Sequence, residues 1–141
     1  MEGLVENQKV NPKFWLGKKV FLTGHSGFKG SWLSIWLSEI GAKVKGFSLN
    51  PNTHPNLFNE AKLINEIETD FGDIRDLDRL QNSLTDFDPD ILIHLAAQPL
   101  VNLSYENPID TYSTNVMGTL NVLEASRICK NLKAIVAITT D

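Results

Sequence analysis

Three glycines stand at a spacing of three in "TGHSGFKGSW": Gly24, Gly27 and Gly30, directly behind the apolar run Val20, Phe21 and Leu22. Glycine costs backbone entropy, so it persists where a side chain would obstruct a turn or a close approach to the backbone. A strand before this stretch and a helix after it would give an anion both free N–H groups and a partial positive charge at the helix N-terminus. That place suits a pyrophosphate. Gly24 then permits the tight turn, Gly27 lets phosphates reach the backbone, and Gly30 lets helix and strand pack closely, with Ser26 and Phe28 completing the loop. The spacing is G-x-x-G-x-x-G rather than G-x-G-x-x-G, so the strand–turn–helix setting carries the dinucleotide reading. Turn-and-packing glycines without a ligand are the alternative.

Other chemistry falls at the ends of later apolar runs. Asn50 closes "GFSLN", where a dinucleotide site usually places a ribose-binding carboxylate about 20 residues after the glycines. Its amide can bond a ribose hydroxyl but does not repel a 2′-phosphate. No arginine stands beside it, so NAD is expected over NADP. "GDIRD" sets Asp73 and the Ile74 backbone where an adenine edge would be read, while Asp76 suits a helix cap. "HLAAQP" brings Leu95, Ala96, Ala97 and Gln98 to the end of a further run, small enough for a cofactor to lie against backbone. His94, embedded in that apolar run, reads as a core histidine.

The elements that must position these groups follow from the apolar spacing. The consecutive Val20, Phe21 and Leu22 within Lys19–Thr23 predict a strand covered on both faces and central in a sheet, and Lys43–Leu49, Glu66–Phe71, Asp90–Ala96 and Lys133–Thr139 read as four further strands. Helices are expected from Phe28 to a stop at Gly41, over Leu57–Asn65, over Leu77–Phe87 and from Pro108 to Lys130. Trp32 and Trp36 are expected in the core of the first of these, and Tyr112, Val116, Leu120 and Leu123 on the buried stripe of the last. Strands alternating with helices predict an α/β fold, a Rossmann-type doubly wound parallel sheet in the order 3-2-1-4-5 with helices on both faces. Residues 1–13 read as a loose segment, with Phe14 and Trp15 packing it onto a domain spanning 14–141.

A net charge of −4 and the lack of a basic cluster argue against a nucleic-acid partner. No apolar stretch approaches the ~20 residues of a membrane span, and the chain reads as cytoplasmic. Cys129 is a single cysteine, expected buried in a helix, and no ligand spacing suggests a metal.

Together "TGHSGFKG", "GDIRD", "HLAAQP", "YSTNVMGT" and the terminal "ITTD" resemble the extended short-chain dehydrogenase/reductase superfamily, and within it the CDP-glucose 4,6-dehydratase family, from about Phe14 to Asp141. The resemblance implies a lyase that uses NAD to convert CDP-glucose into its 4-keto-6-deoxy sugar, an entry to deoxysugars of bacterial surface polysaccharide. It implies pyrophosphate on Gly24, Gly27 and Gly30, adenine on Asp73 and Ile74, and nicotinamide beside Ala96, Ala97 and Gln98. Thr140 and Asp141 match the catalytic pair: Asp141 as the acid for the departing 6-hydroxyl, Thr140 and Gln98 toward the sugar. Asn50 in place of aspartate, and Asn102 where relatives often carry arginine, depart from the pattern. A Tyr-x-x-x-Lys pair is absent, since Ile109 follows Tyr105 and Val116 follows Tyr112 at that spacing.

The chain is thus expected to be the amino-terminal part of a longer enzyme and inactive as a dehydratase by itself. A nucleotide-sugar epimerase and a non-catalytic dinucleotide-binding module are the alternatives. The resemblance further implies a homodimer through the helix carrying Ile109, Tyr112, Met117 and Leu120.

Overall fold

The computed structural model describes residues 10–139 of the 141. At its centre lies β1 (Lys19–Thr23), in which Val20, Phe21, Leu22 and Thr23 are fully buried. β2 (Lys43–Ser48) and β4 (Ile91–His94) flank β1. Beyond them lie β3 (Glu68–Phe71) and β5 (Ala134–Ala137), giving the order 3-2-1-4-5 with every pairing parallel. Side chains alternate across each strand and so feed two cores. On one face Phe21, Phe47 and Leu92 meet Leu80, Leu84 and Phe87 of α4 (Leu77–Phe87) and Val122 and Ala125 of α7 (Gly118–Ser126). On the other, Val20, Leu22, Val44 and Ile93 meet Leu37 of α2 (Phe28–Glu39). Trp15 of α1 (Pro12–Trp15) closes that second core, whereas Phe14 stays half exposed.

The expected fold is the observed one, with shorter elements. The predicted helix 57–65 is α3 (Leu57–Glu60) followed by a 3₁₀ turn at Leu63–Asn65. The single long helix from Pro108 is α6 (Pro108–Tyr112), a π-helical turn at Ser113–Met117, and α7; α5 (Val101–Glu106), which precedes it, had no periodic signal. Cys129 lies past the end of α7, half-buried against the first core. Asp76 caps α4, accepting the Arg79 N–H at 3.1 Å.

Two expected buried stripes face outward. On α2 the buried residues are Gly30, Ser31, Ser34 and Leu37, while Trp32 is 54% and Trp36 40% exposed. Small residues let the helix sit close to the sheet, and their hydroxyls are satisfied locally: Ser31 donates to the His25 carbonyl and Ser34 to that of Gly30. On the last helical stretch Tyr112, Val116, Leu120 and Leu123 are exposed, because the inward positions hold polar or small residues with partners inside, Thr111, Asn115, Gly118 and Thr119 among them.

Candidate functional site

The predicted site residues that the structure describes gather at the carboxyl ends of the strands. Gly24 leaves β1 with φ +75°, donates its N–H to the Phe47 carbonyl of β2 at 2.9 Å, and lies so close to the segment leaving β4 that a Cβ would sit 2.8 Å from Ala96 N. Gly27 donates to the Gly24 carbonyl and is the N-cap of α2. A Cβ on Gly30 would run into the Gly24 carbonyl and lie 2.7 Å from His25 Cα, so its lack of a side chain serves packing of the helix on the loop itself. No side chain caps α2. The N–H groups of Phe28, Lys29 and Gly30 therefore point out of the first turn without intrahelical acceptors.

Hydrogen bonds fix this loop to its neighbours. Ser26 donates to the Leu49 carbonyl at 2.8 Å, beside exposed Asn50. Ser48 Oγ lies 2.8 Å from Ser26 Oγ and 3.0 Å from His25 Nδ1. The His25 ring is fully buried between Phe58 and Phe71, in the space a Gly46 side chain would take. Burial pushes its pKa down to about 4, so the imidazole is neutral at physiological pH.

After β3, Asp73 accepts from the Arg75 N–H and guanidinium, and Arg75 reaches on to Asp110 of α6 at 2.6 Å. Those Arg75 hydrogen bonds hold the Asp73 carboxyl below the usual carboxylate range. Ile74 is buried beneath Gly118, and its carbonyl accepts from Asn121. After β4, every hydrogen-bonding group of Gln98 has an intramolecular partner: Asn115 takes its N–H and donates to its carbonyl, and its amide binds Leu100 and Thr111. Asn102 is exposed on α5 over a shallow groove with Leu100, Val101 and Glu106. Thr140 and Asp141 lie outside the described residues.

Residues 21–141 match the family model described as GDP-mannose 4,6 dehydratase. The chain belongs to this family. It is 56% identical over 132 residues to a CDP-glucose 4,6-dehydratase of Salmonella typhimurium (strain LT2), covering 94% of this chain and 37% of that protein. It thus spans little more than a third of that relative's length. Among solved structures it resembles UDP-glucose 4-epimerase from Brucella ovis in complex with NAD (TM-score 0.72, 28% identity, 85% of this chain and 35% of that one). It also resembles UDP-glucose 4-epimerase with UDP-glucose from Thermotoga maritima (TM-score 0.75, 26% identity, 86% and 38%).

In this member of the GDP-mannose 4,6-dehydratase family, the donor set fits a dinucleotide. An uncapped 12-residue helix presents three N–H groups, Gly27 at its N-cap adds no side chain, and an ionised Asp73 stands at the next strand but one. Sequence reasoning missed the residues that fasten these segments: His25 and Ser48 at the glycine loop, Arg75 at Asp73, and Thr23, Asn115 and Thr119 around Leu95–Gln98. The available signal was a set of polar residues inside otherwise apolar strands, and a glycine, Gly46, opposite a histidine.

Proposed function

We propose that the protein carrying this chain dehydrates CDP-glucose to CDP-4-keto-6-deoxyglucose with NAD held on the glycine loop, at the entry to deoxysugar synthesis in the cytoplasm. The observation that carries this reading is the 56% identity to a CDP-glucose 4,6-dehydratase over nearly the whole chain, with the uncapped helix behind Gly24, Gly27 and Gly30. When bound, NAD supplies a hydride acceptor that returns what it takes. The rest is the work of the chain.

The Phe28, Lys29 and Gly30 N–H groups receive the pyrophosphate, with Ser26 fixing the loop. Asn50 takes the ribose at the end of β2, and with no arginine beside it in the sequence to favour a 2′-phosphate, NAD is preferred over NADP. Asp73, kept ionised by Arg75, accepts from the adenine amino group beside Ile74. Leu95, Ala96, Ala97 and Gln98 line the nicotinamide and sugar side, the Gln98 amide bracing the segment it belongs to. Thr140 hydrogen-bonds the sugar near its 4-hydroxyl, and Asp141 gives a proton to the departing 6-hydroxyl. The base at the 4-hydroxyl lies outside these 141 residues, as the resemblance implies.

Exposed Ile109, Tyr112, Met117 and Leu120 support a homodimer through this face. No helix among the described residues is long and apolar enough to cross a membrane. A second reading, a nucleotide-sugar 4-epimerase, draws on the solved structures it resembles; Asp141 opposes it, since an epimerase has no leaving group to protonate. Incubation of the whole protein with CDP-, UDP-, dTDP- and GDP-glucose and NAD tests both. A 4-keto-6-deoxy product from CDP-glucose is expected; a 4-epimer without loss of water would overturn the dehydratase reading.

A further inference from the structure

Between β4 and the last helical stretch runs a chain of hydrogen bonds whose direction is fixed by counting protons. The Thr23 hydroxyl oxygen accepts from Ala96 N at 3.2 Å and from Leu95 N at 3.1 Å, the latter N–H shared with the Thr23 carbonyl at 3.2 Å. Its own hydrogen is therefore free to point at His94 Nδ1, 2.6 Å away. With Nδ1 an acceptor, the neutral ring carries its proton on Nε2, 2.9 Å from the Thr119 hydroxyl. Thr119 accepts it and spends its hydrogen on the Asn115 carbonyl at 2.6 Å. The Asn115 side chain then grips Gln98 from both sides, accepting its N–H at 2.7 Å and donating to its carbonyl at 3.1 Å. The path leaves the backbone at Leu95 and Ala96 and returns to it at Gln98.

His94 and Thr23 are buried, and burial lowers the His94 pKa, which favours the neutral ring; the tautomer follows from Thr119, whose hydrogen is committed to the Asn115 carbonyl. Asn115 lies in the π-helical turn, a departure from α geometry of the kind that clusters at functional sites.

We propose that Thr23, His94, Thr119 and Asn115 form one relay that sets the height of the Leu95–Gln98 segment at the mouth of the sheet, and so positions the nicotinamide half of the dinucleotide. These are positioning residues, acting through the Leu95–Gln98 backbone they hold. The inference rests on the cofactor reading above and adds a division of labour to it. The glycine loop holds the pyrophosphate, and the relay places the far end.

Two measurements test it. In the unmodified chain, long-range nitrogen–proton NMR of the imidazoles should show His94 as the neutral Nε2–H tautomer; an Nδ1–H tautomer or a charged ring at neutral pH overturns the relay. Thr119→Val removes the acceptor of His94 and the donor to Asn115 with little change of shape. NAD should then bind about tenfold more weakly, as expected for loss of a hydrogen bond in a buried network. Its chemical-shift footprint should vanish at Ala96, Ala97 and Gln98 but persist from Gly24 to Gly30. Thr119→Ser should restore both. A footprint unchanged in Thr119→Val, or a uniform loss at both ends that serine does not rescue, refutes positioning through Thr119. Absence of any NAD footprint in the unmodified chain overturns the cofactor reading itself, and the inference falls with it.

Discussion

Acidification should lower the stability of this protein over two separable pH windows, the upper one governed by His25. In the folded chain burial lowers that imidazole from 6.5 to about 4. In the unfolded chain it regains the ordinary value. Between those two pH values the unfolded state binds a proton that the folded state refuses, so stability falls as pH falls. The shift corresponds to about 3 kcal/mol, present above pH 6.5 and lost by about pH 4, a large part of a typical domain's 5–15 kcal/mol. His94, lowered by the same cause, acts in the same direction. The carboxylates Asp70, Asp73 and Asp90 are also lowered, but from 3.8, so their contribution is lost only below the histidine window. Urea unfolding followed by circular dichroism at closely spaced pH values separates the windows. The His25 ring, followed by NMR, should remain neutral through the upper window. Flat stability between pH 6.5 and 4, or a His25 resonance that titrates at its ordinary value, would refute the argument.

Further outcomes follow from named contacts. Gly30→Ala drives a methyl into the Gly24 carbonyl and should cost about 1–3 kcal/mol or more in thermal unfolding, since backbone has to yield; an unchanged melting temperature contradicts the packing described. Arg75→Met removes the hydrogen bonds that lower Asp73, whose carboxyl should rise toward 3.8 in a carbon-13 titration, with a stability change of no more than about 1 kcal/mol because the pair is partly exposed. In the whole protein, Asp141→Asn should slow turnover of CDP-glucose about 100- to 10,000-fold, because the amide cannot act as a general acid. Oxidation at carbon 4 survives, so reduced cofactor should accumulate and be seen by its absorbance; wild-type turnover without accumulation would remove Asp141 from the chemistry.

The order of the sheet was legible because parallel strands covered on both faces must be unbroken apolar runs, as Val20–Leu22 and Ile91–Ile93 are. Which helix faces turned inward was not. Trp32 and Trp36 carry far more apolar area than Gly30 and Ser34, yet the small residues win the interior because they admit a closer helix–sheet approach. Thr111, Asn115 and Thr119 displaced the apolar stripe of the last helix for another reason: each finds a partner beneath it, which periodicity does not register. The glycine loop showed itself through spacing alone. Its fastening by His25, Ser26 and Ser48 depends on residues brought together from β2, and only the three-dimensional fold reveals it.

If the carboxyl ends of β1, β2, β3 and β4 form one dinucleotide site, NAD must perturb all of them together. Titrating millimolar NAD into the isotopically labelled protein and following its amide resonances tests it most directly. Saturable shifts are expected at Gly24, Ser26, Gly27, Phe28 and Gly30, together with Asn50, Asp73, Ile74, Ala96 and Ala97, reaching saturation on a common curve. Shifts scattered over other faces, or none at those positions, would contradict it.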